Sequence, residues 1–208
     1  MTHGFKSARG RVPKYQSGLI PRPFNNSKIL FGNNEARTHL EIGAGDGQFA
    51  YNFSRAHQDV NFIAIERTLT RWRQFHEKFP DAAELTNLRY LRDDGERWVV
   101  HQLSADSLSK IYFLYPNPHL KLKHSNLRWH RRPFMELLLD KLKRGGQIVL
   151  RTNIEGYFRE AARDYREIWG LNIVDSRSLV DEDTVCTRFE RKYRERLENC
   201  FQLIVEKV

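Results

Sequence analysis

Cysteine is nearly absent: Cys186 and Cys200 are the only two. Their spacing suits neither a metal-ligand pair nor a disulfide framework, so two reduced thiols are expected, with no redox chemistry and no metal. Long hydrophobic runs are missing as well. No stretch approaches the roughly 18 consecutive apolar residues that a membrane span requires. The opening MTHGFKSARGRVPKYQ lacks the apolar core and small-residue cleavage site of a signal peptide. These absences predict a soluble, cytoplasmic protein with no membrane partner. Acidic residues are missing from two stretches. Residues 1–34 hold Lys6, Arg9, Arg11, Lys14, Arg22 and Lys28 with no acid, and His119–Arg132 hold Lys121, Lys123, Arg128, Arg131 and Arg132, again with none. Over the whole chain 35 Lys and Arg face 26 acids, for a formal charge of +9. Such an excess favours a polyanionic partner, because every phosphate neutralised releases counterions. Charge alone does not separate RNA from DNA or from an anionic membrane surface.

What is present is enough for one packed domain: 208 residues, 40% hydrophobic and 12% aromatic. The first 35 residues lack periodicity and are punctuated by Gly10, Pro13, Gly18, Pro21, Pro23 and Gly32. They predict a basic arm over 1–35 in front of a single domain over 36–208. From Thr38 short apolar runs alternate with helix-length segments. THLEI (38–42), VNFIAI (60–65), NLRYLR (87–92), KIYFLY (110–115) and GQIVLRT (146–152) have the character of buried strands. Between them Gln48–His57, Leu69–Phe79, Gly95–Leu103 and Arg131–Lys143 are of helical length. The alternation predicts an α/β fold, a mostly parallel sheet with helices on both faces. A helix through Arg163 and Ile168, an extended LNIVDSR (171–177) and a terminal strand in CFQLIVEKV (200–208) complete the pattern. A short loop between the last two would make them antiparallel.

The richest local signal is LEIGAGDGQFA (40–50), a strand running into Gly43-Ala44-Gly45-Asp46-Gly47 and then a helix. Glycines there allow positive φ and a close approach of ligand to backbone, and a helix start offers N–H groups. Such turns also simply connect strands to helices. Context favours a nucleotide site: Glu66 ends the next strand, where an acid can accept from ribose hydroxyls, and Asp93 and Asp94 end the one after. Each acid has a structural alternative. Glu66 can pair with Arg67 or Arg71, and Asp94 can cap the helix that begins near Gly95. Either Asp93 or Asp94 suits an adenine amino group. No hydride-transfer constellation of a nicotinamide dehydrogenase follows the turn, which makes methyl transfer the better fit.

A second motif follows the strand KIYFLYP. Two prolines stiffen Tyr115-Pro116-Asn117-Pro118. The basic run beyond it is interleaved with His119, His124, Trp129 and His130, which supply faces for unpaired bases. A solvated basic loop needs neither feature.

With RGRVPKYQ, EIGAGDG, NFIAIE, LTNLRYLRDD, YPNPHLKLKH, GGQIVLRTNIEGY and TRFERKY taken in order, the chain resembles the bacterial tRNA (guanine-N7-)-methyltransferase family over most of its length. The resemblance implies a Rossmann-like class I methyltransferase with a seven-stranded sheet. S-adenosylmethionine would be the cofactor, tRNA the partner and a guanine of the variable region the target, in a monomer or homodimer. It implies cofactor contacts at Glu41, Gly43, Gly45, Gly47, Glu66, Asp93 or Asp94, and Asn117. Asn117 also stands at the place of the catalytic aspartate. Substrate contacts are implied at Lys121, Asn153, Thr187, Arg188, Phe189 and Glu190. Glu190 suits guanine N1–H and its amino group, or alternatively a surface bridge with Arg188 or Arg194. Three positions depart from the family pattern. Asn117 replaces the aspartate of Pro-Asp-Pro, His119 the tryptophan after it, and Asn153 the acid of Thr-Asp. Two amides in place of acids keep two other readings open: a tRNA-binding relative with weak or no methyl transfer, and a methyltransferase for a different RNA.

Overall fold

The computed structural model describes residues 6–7, 10–11, 14–24, 29, 31–181, 183–184 and 186–208. Arg9, Pro13 and Lys28 of the expected arm lie outside them. Seven strands form one sheet: β1 (Arg37–Ile42), β2 (Val60–Glu66), β3 (Leu88–Arg92), β4 (Leu108–Leu114), β5 (Leu142–Thr152), β6 (Asn172–Ser178) and β7 (Phe201–Glu206). Their order is β3-β2-β1-β4-β5-β7-β6, parallel from β3 to β5, with β7 antiparallel to both neighbours. The mostly parallel α/β sheet expected from the alternation is what the chain forms.

Strand residues alternate between two cores. Leu40, Ile42, Ile63, Ile65, Ile111, Phe113, Ile148 and Leu150 pack on one face, while Phe62, Ala64, Tyr112, Leu114 and Val149 pack on the other. This period of two buries every central strand on both sides, and each fully buried Leu, Ile or Phe contributes about 1.5–3 kcal/mol. Helices α1 (Gln48–Ala56) and α2 (Leu69–Lys78) cover the second face. Helices α3 (Gly95–Gln102), α4 (Phe134–Lys141) and α5 (Glu155–Glu167) cover the first. In α5 the buried residues Tyr157, Ala161, Asp164 and Tyr165 recur at helical spacing and define its inward stripe.

Two expectations are corrected. Helix α4 starts at Phe134 rather than Arg131, because Trp129–Arg131 form a separate 3-10 turn and Pro133 precedes the first helical residue. The last two strands are antiparallel, yet no short loop joins them. Between Ser178 and Phe201 the chain makes a further helix, α6 (Arg188–Glu195). Its sequence RFERKYRE is mostly charged, with Phe189 and Tyr193 one turn apart as its apolar pair, too short a stripe for periodicity to reveal it. Its signature is a cap: the Thr187 hydroxyl accepts from the Glu190 amide at 3.1 Å, with Glu at the third helical position.

Residues 15–24 lie across α3 and α4, whereas Gly32 and Asn33 bond Thr86 and Asn61 at the other side of the sheet edge. The Tyr15 amide donates to Glu136 Oε2 at 3.1 Å, and the Tyr15 ring packs on Phe134. The Ile20 carbonyl meets His101 Nε2 at 3.0 Å, and the Phe24 amide donates to Asp93 Oδ2 at 2.9 Å.

Candidate active site

The carboxyl ends of β1, β2, β3 and β4 open on a cavity of about 460 Å³. Its walls include Ile42 and Gly43 from β1 and its turn, Glu66 from β2, Asp93 and Asp94 after β3, and Tyr115-Pro116-Asn117 after β4. Leu127, Trp129 and Arg132 close it from the basic loop. A smaller cavity of about 60 Å³ adjoins it, sharing Gly43, Leu114 and Tyr115, and is lined further by Glu41, Gly45, Arg71, Thr187, Arg188 and Phe189. The strand ends thus bring together Glu41, Gly43, Gly45, Glu66, Asp93, Asp94, Asn117, Thr187, Arg188 and Phe189. Gly47, Lys121, Asn153 and Glu190 line neither cavity.

The glycines divide by role. Gly43 (φ +82°) and Gly45 (φ +61°) have nothing within 4 Å of a would-be Cβ, so their missing side chains leave open cavity. A Cβ on Gly47 (φ +70°) would lie 2.2 Å from Phe75 Cδ2, so this glycine serves packing. The turn's amides are not free. Gly43 and Ala44 donate to the Ile65 carbonyl, Gly45 to Glu66 Oε2 and Gly47 to the Ala44 carbonyl. What the turn offers a ligand is space.

The acids separate in the same way. Glu66 joins the glycine turn to α2, accepting from Gly45 N at 2.9 Å on Oε2 and from Thr68 N at 2.7 Å on Oε1. Asp94 caps α3, its Oδ1 accepting from the Glu96 and Arg97 amides. Asp93 is buried and engaged by Arg97, which bonds its Oδ1 through Nε at 2.8 Å and Nη2 at 2.7 Å, while Phe24 N takes the other oxygen. Arg97 also lies 3.8 Å from the centroid of the Phe24 ring. Glu41 is buried to 1% exposure, and its Oε2 has no partner. Burial, with Glu66 and Asp46 nearby, pushes its carboxyl up to about 8. An unpaired buried acid facing a cavity is a vacancy for a cationic group.

The Tyr115–His119 turn is strained at both ends: Tyr115 (φ +52°) and His119 (φ +44°) adopt the left-handed region without being glycine. Such conformations cost about 1–3 kcal/mol each and persist where their surroundings impose them. Arg128 does so here. Its Nε bonds the Pro118 carbonyl and its Nη2 the His119 carbonyl, both at 3.0 Å, while Nη1 pairs with Glu160 of α5. Asn117 is exposed, and its Oδ1 accepts from the His119 amide at 3.0 Å. Three of the expected phosphate-binding cations therefore have internal partners: Arg128 as described, Arg131 with Glu160 and Asp164, and Arg132 with Glu96. Lys121 and Lys123 remain exposed, beside exposed Leu120 and Leu122.

Helix α6 is fastened to the sheet through Glu190, which is fully buried. It receives Arg151 Nη1 at 3.0 Å and Arg194 Nη2 at 2.8 Å. This clamp holds Thr187, Arg188 and Phe189 against the smaller cavity. Asn153 bonds Glu198 Oε2 at 2.8 Å in the loop after α6. The roles of Arg151 and Arg128 have no local signature, since their partners lie 39 and 32 residues away; Arg97 was missed although Asp93 stands four residues before it, a spacing that one helical turn can pair. His130, Glu160 and Asp164 also approach one another, but Arg128, Arg131 and Arg163 already hold the two carboxylates.

An open, mostly parallel sheet with a glycine turn after the first strand and acids after the second and third defines a nucleotide-cofactor fold, and the chain's relatives make it a methyltransferase. The family model Methyltransf_4, described as "Putative methyltransferase", matches residues 35–203. The tRNA (guanine-N(7)-)-methyltransferase of Oceanobacillus iheyensis is 30% identical over 185 residues, covering 87% of this chain and 82% of that protein. The one from Mesoplasma florum is 28% identical, covering 88% and 86%. The chain belongs to the tRNA (guanine-N7-)-methyltransferase family. Among solved structures, the 16S rRNA methyltransferase KamB matches with a TM-score of 0.64 at 19% identity, over 83% of this chain and 88% of that one. A precorrin-6y C5,15-methyltransferase from Geobacter metallireducens matches with 0.57 at 12%, over 86% and 84%. At these identities the likeness is one of fold.

Proposed function

We propose that the protein transfers a methyl group from S-adenosylmethionine to N7 of a guanine in tRNA. The observation that carries the reading is the junction of the two cavities at Leu114-Tyr115, with acids around both and the basic, partly apolar loop at the rim. The residues fit the cofactor: a volume within the usual range for small-molecule sites, open space at Gly43 and Gly45, and an unpartnered buried carboxyl at Glu41. Glu66 and Asp94 would hold the ribose and adenine, Trp129 and Ile42 would wall the base, and Glu41 would face the ammonium of the amino-acid portion. When bound, the cofactor supplies an electrophilic methyl on a sulfonium.

Guanine N7 carries a free lone pair, so attack requires no prior deprotonation and no general base. The chain's task is to position the base and stabilise the cation that forms. Asn117, on the strained turn fixed by Arg128, presents an amide dipole there; it keeps an acceptor but adds no charge. Thr187, Arg188 and Phe189, held by the Glu190 clamp, would orient the guanine, with Asn153 and its partner Glu198 beside them. Lys121 and the exposed Leu120 and Leu122 suit phosphate and base contacts. In this reading Asp93 and Glu190 act through the elements they fix, and Gly47 through packing. Incubation with labelled S-adenosylmethionine and unmodified tRNA should yield 7-methylguanine on nuclease digestion. Label on another base alone overturns the N7 assignment and leaves methyl transfer standing.

A further inference from the structure

The opposite end of the sheet carries a third, separate cavity of about 370 Å³, lined by Arg37 and His39 of β1, Lys110 of β4 and the Lys143–Gln147 segment of β5. The six residues of β1, about 20 Å, carry the chain from Arg37 to the glycine turn. The pairing of β4 with β5 is interrupted here: Leu108 faces Leu142 and Lys110 faces Gln147, so four residues of β5 loop out opposite Ser109. Bulges of this kind re-aim side chains and are built features of a fold. This one is pinned, because Gly145 N donates to the Lys207 carbonyl at 2.8 Å and Lys207 N to the Gly146 carbonyl at 2.9 Å. Gly145 (φ +72°) supplies the left-handed residue, and Gly146 lets the bulge close over Leu142. The result displays Lys143 and Arg144 beside Arg37 and Lys110.

Four cations converge with little to neutralise them. Arg37 meets Asp59 at 3.4 Å in a pair exposed to about 70% on both sides, which is worth little. Among the described residues Lys110, Lys143 and Arg144 have no acidic partner. Burial and the Arg37 guanidinium both push the Lys110 ammonium down, the mark of positive charge held close without compensation. The same cations, after burial, hold the neighbouring His39 down to about 4, so its ring is neutral. A fold that pins a bulge in order to crowd like charges into a concave site is suited to an anion.

We propose that this cavity is a phosphate-binding site, separate from the methyl-transfer site. One chemistry has two sources, a backbone phosphate of the bound RNA or a free phosphate group. The test compares wild type with Lys143→Glu/Arg144→Glu and with Arg159→Glu/Arg166→Glu on the exposed face of α5, a control with the same change in net charge. Millimolar inorganic phosphate should raise the unfolding temperature of wild type and control by a few degrees and leave the bulge variant unmoved. Lys110→Met, which removes charge without reversing it, should also lose the response. A backbone source adds a further result: tRNA binding by the bulge variant weakens at least ~10-fold more than by the control. The slope of log affinity against log salt then falls by about two. If the tRNA affinities of bulge variant and control are equal while the phosphate response is lost, the free group is the ligand. Equal phosphate responses in all four proteins, or none in any, would overturn the proposal and leave a solvated basic patch.

Discussion

Glu41→Gln removes a carboxyl that the fold buries beneath the glycine turn, and its effect on stability should depend on pH in a defined direction. Glutamine has the shape and neutrality of the protonated acid, so the two proteins should be nearly alike where Glu41 is protonated. In the folded chain the carboxyl keeps its proton up to about 8, against 4.5 for an ordinary glutamate. The stability associated with that proton is fully present below the lower value and is lost as pH rises through the upper one. The slope is about 1.4 kcal/mol per pH unit, so the interval amounts to about 5 kcal/mol at most. Urea unfolding from pH 4.5 to 9, taken as variant minus wild type, should therefore rise steadily in the variant's favour and level off at the alkaline end. Taking the difference cancels other titrating groups, including His39, whose depressed value acts in the acid range. The same variant should bind S-adenosylmethionine more weakly. Wild type should release up to one proton on binding near neutral pH, read by calorimetry in buffers of different ionisation enthalpy. A difference that stays flat across the range, or that grows in favour of wild type, refutes the assignment of Glu41 as a neutral acid awaiting a cation.

Gly47→Ala should destabilise the chain by more than ~2 kcal/mol in urea, since its Cβ meets Phe75 in a left-handed residue; an unchanged midpoint contradicts that geometry. Asp93→Asn breaks a buried pair with Arg97 and loosens the arm at Phe24. It should cost about 3–5 kcal/mol and hasten proteolysis within residues 14–24. Asn117→Asp should raise single-turnover methyl transfer about 10-fold or more, roughly 1.4 kcal/mol, with tRNA affinity little changed. A drop in rate would mean that the amide is the adapted residue.

The central strands were legible because they are buried on both faces and bounded by turns, as in VNFIAIE. Glu66, Asp93 and Asp94 were legible as strand-end acids in an order that places them at one crevice. What each acid touches was not. Asp93 and Asp94 are adjacent in sequence, yet one is held by Arg97 and the arm while the other caps α3, and only the packing of the arm separates them. The basic loop misled in the opposite sense: composition counts Arg128, Arg131 and Arg132 as free cations, whereas α5 and α3 supply their carboxylates. Helix α6 escaped because its apolar stripe is a single pair, Phe189 and Tyr193, and its firmest attachment is a buried glutamate whose arginine lies 39 residues away.

The antiparallel placement of β7 has a consequence for how such a protein can change its target. Since β6 ends and β7 begins at the same end of the sheet, the excursion from Leu179 to Cys200 leaves and returns at the end that carries the two adjoining cavities, without crossing the sheet. Its length is unconstrained by the strands, and it is joined to the sheet by Arg151 with Glu190, Asn153 with Glu198 and Arg177 with Asp183. Under the proposed function, Thr187, Arg188 and Phe189 sit on an excursion of about twenty residues that can be rewritten without re-threading the sheet.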